Sequence, residues 1–197
     1  GEGNEKKANE IFSLVVFVAA ALGVIIAVLG IIFLRPIAVL LEAEGQILED
    51  SVIYGRIILA ALPFYILQYE FQCLFATAEK PALGLAVTVA SGCTNMVLDA
   101  LFVAVFEWGL VGAAVATALS QFVGGIIPVI YFAKENSSVL RLSKCRFDIR
   151  AIGKTCANGS SEFMSNVSMS LVSMLYNARL MHYAGENGIA AYGVLMY

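Results

Sequence analysis

Ile11–Leu34 carries no charged residue and no proline; Glu10 stands before it and Arg35 after it. Such a run is long enough to cross a bilayer as one helix, which takes about 20 mostly apolar residues. In water it would be a liability, because nothing in a small domain covers so much apolar surface. A chain built on it folds in lipid, and lipid admits only helices or closed barrels. The whole sequence agrees. Hydrophobic residues make up 60%, charged residues 14%, and mean hydropathy is +0.84. Soluble domains run at about half apolar and a quarter charged.

Further runs follow the same pattern, over about 52–78, 82–106 and 109–133, then 155–184, with another opening at 187. Breakers separate them. Pro36 follows the first run, and Pro81 opens the third, where a missing N–H costs little. Glu107-Trp108-Gly109 reads as a tight turn between antiparallel helices, with Trp108 at the interface. The fold class expected is all-α, a polytopic transmembrane helix bundle. The N-terminal Gly and the apolar ending AAYGVLMY point to a piece of a longer protein.

Basic residues orient the chain. Lys6, Lys7, Lys80, Lys134, Arg141, Lys144, Arg146, Arg150 and Lys154 fall in alternate connections. Only Arg35, Arg56 and Arg179 fall on the other side. Lys/Arg-rich loops stay inside, so residues 1–10 and 134–154 are expected to be cytoplasmic in a multi-pass protein of the plasma (inner) membrane. The net charge of −3 and the scattered basic residues exclude a nucleic-acid partner. The four cysteines form no CxxC pair. There is no P-loop and no GxSxG, and a single histidine cannot make a His-based metal site. No enzyme chemistry, catalytic residue or cofactor is expected.

What remains is polar chemistry inside the spans. Thr88, Ser91, Asn95 and Asp99 recur at helical spacing and share one face. An Asp at a membrane helix centre costs about 2.5–3.5 kcal/mol on insertion scales and by default marks a functional site. Counting from Trp108 across the hairpin, Asp99 falls level with Thr117 and Asn95 with Gln121. A carboxylate, an amide carbonyl and a hydroxyl are hard oxygen ligands suited to a small hard cation; the same carboxylate can bind a proton. The plain alternative is a polar clamp between helices. A second stripe, Glu162, Asn166, Ser170, Ser173 and Asn177, lies on one face of the fifth run and reads as cavity lining or helix packing. On the second run, Tyr54, Tyr65, Gln68, Tyr69 and Gln72 cluster on one side; Glu70 projects nearly opposite, toward the headgroups or another helix.

The stretch NMVLDALFVAVFEWGLVGAAVATALSQ resembles helices five and six of the multidrug and toxin extrusion (MATE) family. GSSEFMSNVSMSLVSMLYNARLMHYAGENGIAAYG resembles the seventh helix and the start of the eighth. The resemblance implies a twelve-helix transporter of two bundles. Residues 1–133 would be the remainder of the N-terminal bundle, 134–154 the cytoplasmic linker, and 155–197 the start of the C-terminal bundle. It implies Na+- or H+-coupled antiport of organic, often cationic, drugs or metabolites. Asn95, Asp99 and Thr117 match the family's cation ligands, and Tyr54 a helix-four tyrosine. Glu162 matches a second-bundle acid, and Gln121, Asn166, Ser170 and Asn177 belong with the cavity. The partners implied are the lipid bilayer, a small organic substrate and the rest of the same transporter chain. FATAEKPALG departs from the family pattern, which often has a Gly near Ala76–Ala78. A lipid-linked oligosaccharide flippase of the same superfamily and an inactive truncated scaffold are the alternatives.

Overall fold

The computed structural model describes residues 5–40, 45–134, 138–143 and 147–195, with backbone alone at 5, 178, 181–191 and 193–195. Among the described residues it is helical, as expected: α1 (Glu5–Leu40), α2 (Gly45–Thr77), α3 (Pro81–Asp99) continuing into a π-helix (Ala100–Val105), α4 (Gly109–Ala133) and α5 (Ile149–Leu195). The chain divides into two compact units, 1–147 and 148–197.

In the first unit α2 is the central helix, packed against α1, α4 and α3. Glycines permit the close approach. A methyl group built on Gly23 would lie 3.0 Å from Pro63 Cα, and one on Gly30 2.9 Å from Leu59. On the α4 side, one on Gly125 would lie 2.6 Å from the Phe64 carbonyl oxygen. Small residues let membrane helices gain van der Waals contact that lipid alone does not supply. Outward faces stay apolar: Ile25, Ile26, Ile32 and Phe33 on α1 are at least half exposed. Among the described residues, four helices are long and apolar enough to cross a membrane: α1, α2, α3 with its π-extension, and α4. The expected run 155–184 lies within α5, which falls short of that apolarity because its polar stripe is continuous.

The helix limits differ from expectation in three places. α1 continues through Pro36 to Leu40, although the proline forfeits its bond to the Ile32 carbonyl and crowds that oxygen. α5 starts at Ile149, capped by Asp148, whose Oδ1 accepts from the amides of Arg150 (2.9 Å) and Ala151 (3.4 Å). No break interrupts α5 near 187, yet the rings of Tyr176 and Tyr192 stack at 5.6 Å. A straight helix would separate them by about 24 Å. The helix is therefore not straight between them.

The end of the first unit that holds Lys80 is an aromatic core. Phe71 and Phe132 stack at 5.6 Å, with Phe12, Phe75 and Leu140 around them. Leu140 belongs to the expected linker, but residues 138–143 do not hang free. Leu142 N donates to Phe132 O (2.9 Å), Arg141 N to Asn9 Oδ1 (2.9 Å) and Ser143 N to Ser13 Oγ (2.8 Å). They form a strap across the ends of α1 and α4. Residues 135–137 and 144–146 of the linker lie outside the described residues.

Candidate ion site in the α3–α4 hairpin

The polar face of α3 is real and divides into two tiers. Nearer Lys80, the polar side chains of α3 have partners. Thr88 Oγ1 donates to Gly84 O (3.0 Å) and accepts from Gln72 Nε2 (3.4 Å). Ser91, buried, donates to Ser120 O (2.8 Å) and accepts from Gln68 Nε2 (3.4 Å). Ser120 in turn donates to Thr117 O (2.8 Å). Gln68 lies directly over Gly124, where any side chain would collide with it. This three-helix polar knot ties α2, α3 and α4 together.

Asn95, Asp99 and Thr117 lie nearer Trp108, and Gln121 borders the knot; this second group is not satisfied. Asn95, Asp99, Thr117 and Gln121 are all half-buried. Asp99 Oδ1 and Gln121 Oε1 are sealed from solvent and have no hydrogen-bond donor. A buried acceptor without a donor costs about 1–3 kcal/mol, more when charged. The two acceptors do not share a level, so each is unsatisfied on its own account. Of the two Asp99 carboxyl oxygens, Oδ1 is the one sealed in this way.

The heights differ from an equal count about Trp108. That count sets Ser91 against Gly125, whereas the hydrogen bond puts it on Ser120, about five residues away. The cause is the π-helix directly after Asp99. Phe106 N bonds Leu101 O (2.9 Å), five residues back, and Trp108 N bonds Phe102 O (2.9 Å), six back. The wider coil takes up extra residues on the α3 side, and π-turns concentrate at functional sites. Phe102, Phe106 and Trp108 pack over it at 5.1–6.0 Å between ring centroids. Thr117 is therefore nearest in height to Asn95. Asp99 lies about one turn further out, roughly 5 Å, against Ala113 and Ala114, and Gln121 drops to the level of Ser91. The set Asn95, Asp99 and Thr117 still spans a single helical turn.

Tyr54 does not join it. Gln68 meets Ser91 and Gln72 meets Thr88, so Asp99 is level with Ala60 and Ala61 of α2. Tyr54, exposed, sits about 10 Å nearer the Trp108 end of that helix. In the second unit, Glu162, Asn166 and Ser170 are exposed and Asn177 is half-buried. Asn166 Nδ2 donates to Glu162 O (2.9 Å) and Oε1 (3.3 Å), so these two already serve each other. Asn177 Oδ1 is buried without a donor. Met164 and Met169 line a shallow hollow beside the stripe with Ser161, Ser165 and Ser168. The polar knot was only half visible beforehand, because Ser120 has no polar neighbour at helical spacing except Thr117.

The family model MatE matches residues 1–101. The chain belongs to the MatE family. It is 26% identical over 98% of its length to the multidrug export protein MepA of Staphylococcus aureus (strain bovine RF122 / ET3-1), covering 43% of that protein. It is 27% identical over 95% of its length to MepA of Staphylococcus saprophyticus subsp. saprophyticus (strain ATCC 15305 / DSM 20229 / NCIMB 8711 / NCTC 7292 / S-41), covering 42%. A solved MOP superfamily transporter from Pyrococcus furiosus Vc1 (DSM3638), described as having a binding pocket of reversed polarity, shares the fold. Its TM-score is 0.87 at 21% identity, over 98% of this chain and 44% of that one. The chain thus spans less than half the length of the relatives it matches. The MatE chain is a multi-pass membrane protein, with at least the four apolar helices of its first unit suited to crossing.

Proposed function

We propose that this MatE chain is part of a secondary active transporter that exchanges Na+ or H+ for organic, often cationic, drugs or metabolites by alternating access. The observation that carries the reading is Asp99, whose Oδ1 is buried in a membrane helix with no donor. Asn95 and Thr117, within one turn of it, supply the oxygens that a small hard cation accepts. Drug export is supported by the likeness to the MepA proteins. The rest of the same transporter chain is expected to contribute further spans and further ligands. Glu162, Asn166, Ser170, Asn177 and Gln121 are the candidates for the substrate path. Residues 1–10 and 134–154 face the cytoplasm in this reading, by their lysines and arginines. Ion entry shifts the transporter between states only by the difference in its affinity for them.

A flippase for lipid-linked oligosaccharides needs cationic side chains to hold pyrophosphate. From Gly45 to Ala133 the described helices of the first unit carry one basic residue, Arg56, and it is exposed. The deciding experiment is Asp99→Asn in the whole transporter, reconstituted in liposomes under an imposed Na+ or pH gradient. Gradient-driven drug efflux is expected to vanish with protein level unchanged. Efflux at the wild-type rate would overturn the proposal.

A further inference from the structure

Among the described residues of the first unit, Glu70 also has buried carboxyl oxygens, and the ion site does not use it. It lies on α2 seven residues before Thr77, about 10 Å along the helix from that end. Both carboxyl oxygens are sealed from solvent, and neither has a hydrogen-bond partner. The headgroup position that the sequence left open is thereby excluded. Glu70 is two turns beyond Pro63 and one beyond Ile66, the residues that meet Gly23 of α1. Helical spacing puts it on the same face, against residues 16–20 of α1.

The α1–α2 seam is not uniform. Toward the Arg35 end it is zipped by glycine: a Cβ on Gly23 would lie 3.0 Å from Pro63 Cα, one on Gly30 2.9 Å from the Leu59 side chain, and one on Gly55 2.8 Å from the Leu34 side chain. Beyond Gly23 the zipper stops. There Val16, Ala20 and Leu67 border an open hollow of about 320 Å³, which runs on to Ser13 and the strap residues Leu142 and Ser143. Glu70 follows Leu67 by three residues on α2 but does not itself line the hollow, and its oxygens are sealed from it in this closed arrangement. Among the described residues of α1, α3 and α4 no cationic side chain stands level with it; the strap beyond the hollow carries Arg141. α1 has no charge between Glu10 and Arg35, and α4 has none; the only titratable group of α4 is Tyr131. α3 offers Asp99, of like sign and some two turns nearer Trp108, and Cys93. On α2 itself Tyr65, Tyr69 and Cys73 project to other faces, and Arg56 is about 20 Å away.

An ionised carboxylate buried without donors is far costlier than the neutral acid. We propose that Glu70 is a proton-binding site at the α1–α2 seam, separate from Asp99, that holds its proton while the seam is closed and releases it when α1 draws away. Proton release and seam opening are then two sides of one coupling, each favouring the other. The inference does not rest on Asp99 being an ion site.

Infrared difference spectroscopy of the full chain in liposomes tests it, with Glu70→Gln, Asp99→Asn and wild type compared at neutral pH. Glu70→Gln is expected to remove a protonated-carboxyl C=O band that Asp99→Asn leaves in place. It is also expected to fold as well as wild type, because glutamine is the nearest neutral mimic of the acid. Alkaline pH should raise amide exchange at residues 16–20 of wild type about tenfold beyond the intrinsic base effect, a rise equal to about 1.4 kcal/mol, and leave Glu70→Gln unchanged. If Glu70→Gln removes only a carboxylate band, or fails to fold while wild type folds, the proposal is wrong. An equal pH response in both proteins would refute the coupling. Loss of drug efflux in Asp99→Asn bears on the ion site alone, so the two proposals fail separately.

Discussion

Gly125 offers the sharpest test of how this bundle is held. A Cβ there would sit 2.6 Å from the Phe64 carbonyl oxygen and 3.1 Å from Phe64 Cα, both main-chain atoms of α2. An unstrained carbon–oxygen contact needs about 3.3 Å, so Gly125→Ala must push α2 and α4 apart by roughly 0.7 Å. Overpacking of that kind costs about 1–3 kcal/mol. Alanine recovers up to about 1 kcal/mol of helix propensity, leaving a net loss of up to about 2 kcal/mol. Gly92 is the control. It also lies mid-helix, but nothing stands within 4 Å of its would-be Cβ, so Gly92→Ala should gain about 0.5–1 kcal/mol. The propensity gain is common to both, so the two alanines should differ by the overpacking cost, about 1–3 kcal/mol. Reversible unfolding in mixed detergent, followed by circular dichroism and by the fluorescence of Trp108, measures both. If Gly125→Ala proves as stable as Gly92→Ala, the helices are not in contact at that point, and the geometry of the Gln68–Ser91–Ser120 knot beside it falls too.

Two further outcomes follow from the same packing. Ser91→Ala removes a donor from Ser120 O and an acceptor from Gln68; at the values found for hydrogen bonds between membrane helices, the loss should be about 0.6–1.7 kcal/mol in the same unfolding assay. Glu79 takes the left-handed conformation (φ 58°) that closes α2, with Lys80 N bonded to Phe75 O. Glu79→Gly relieves about 1–2 kcal/mol of strain against glycine's greater chain entropy, so it should stabilise by about 0.5–1 kcal/mol, and a measured destabilisation would contradict the turn geometry.

The contrast between what could be read from residues and what could not has a physical pattern. Features set by neighbours in sequence were legible. Charge-free runs announce spans because lipid removes every alternative for the backbone. Thr88, Ser91, Asn95 and Asp99 announce a face because helical spacing is local. Features set by distant neighbours were not. ALFVAV is uniformly apolar, so no period marks where α3 widens into a π-helix, and that change moves Thr117 from Asp99 to Asn95. The strap is held by Asn9 and Ser13, some 130 residues away, through main-chain amides that leave no trace in residue choice. Asp148 was an unread helix start, since an Asp before a helical run is a capping signal. Glu70 is the instructive middle case. Its angular position was computable and pointed away from the tyrosine face, but whether that direction met lipid, headgroups or α1 depended on Gly23 admitting Pro63. One glycine contact thus decides the meaning of a carboxyl group two turns away, because it fixes which helix the carboxyl faces and hence which medium must solvate it.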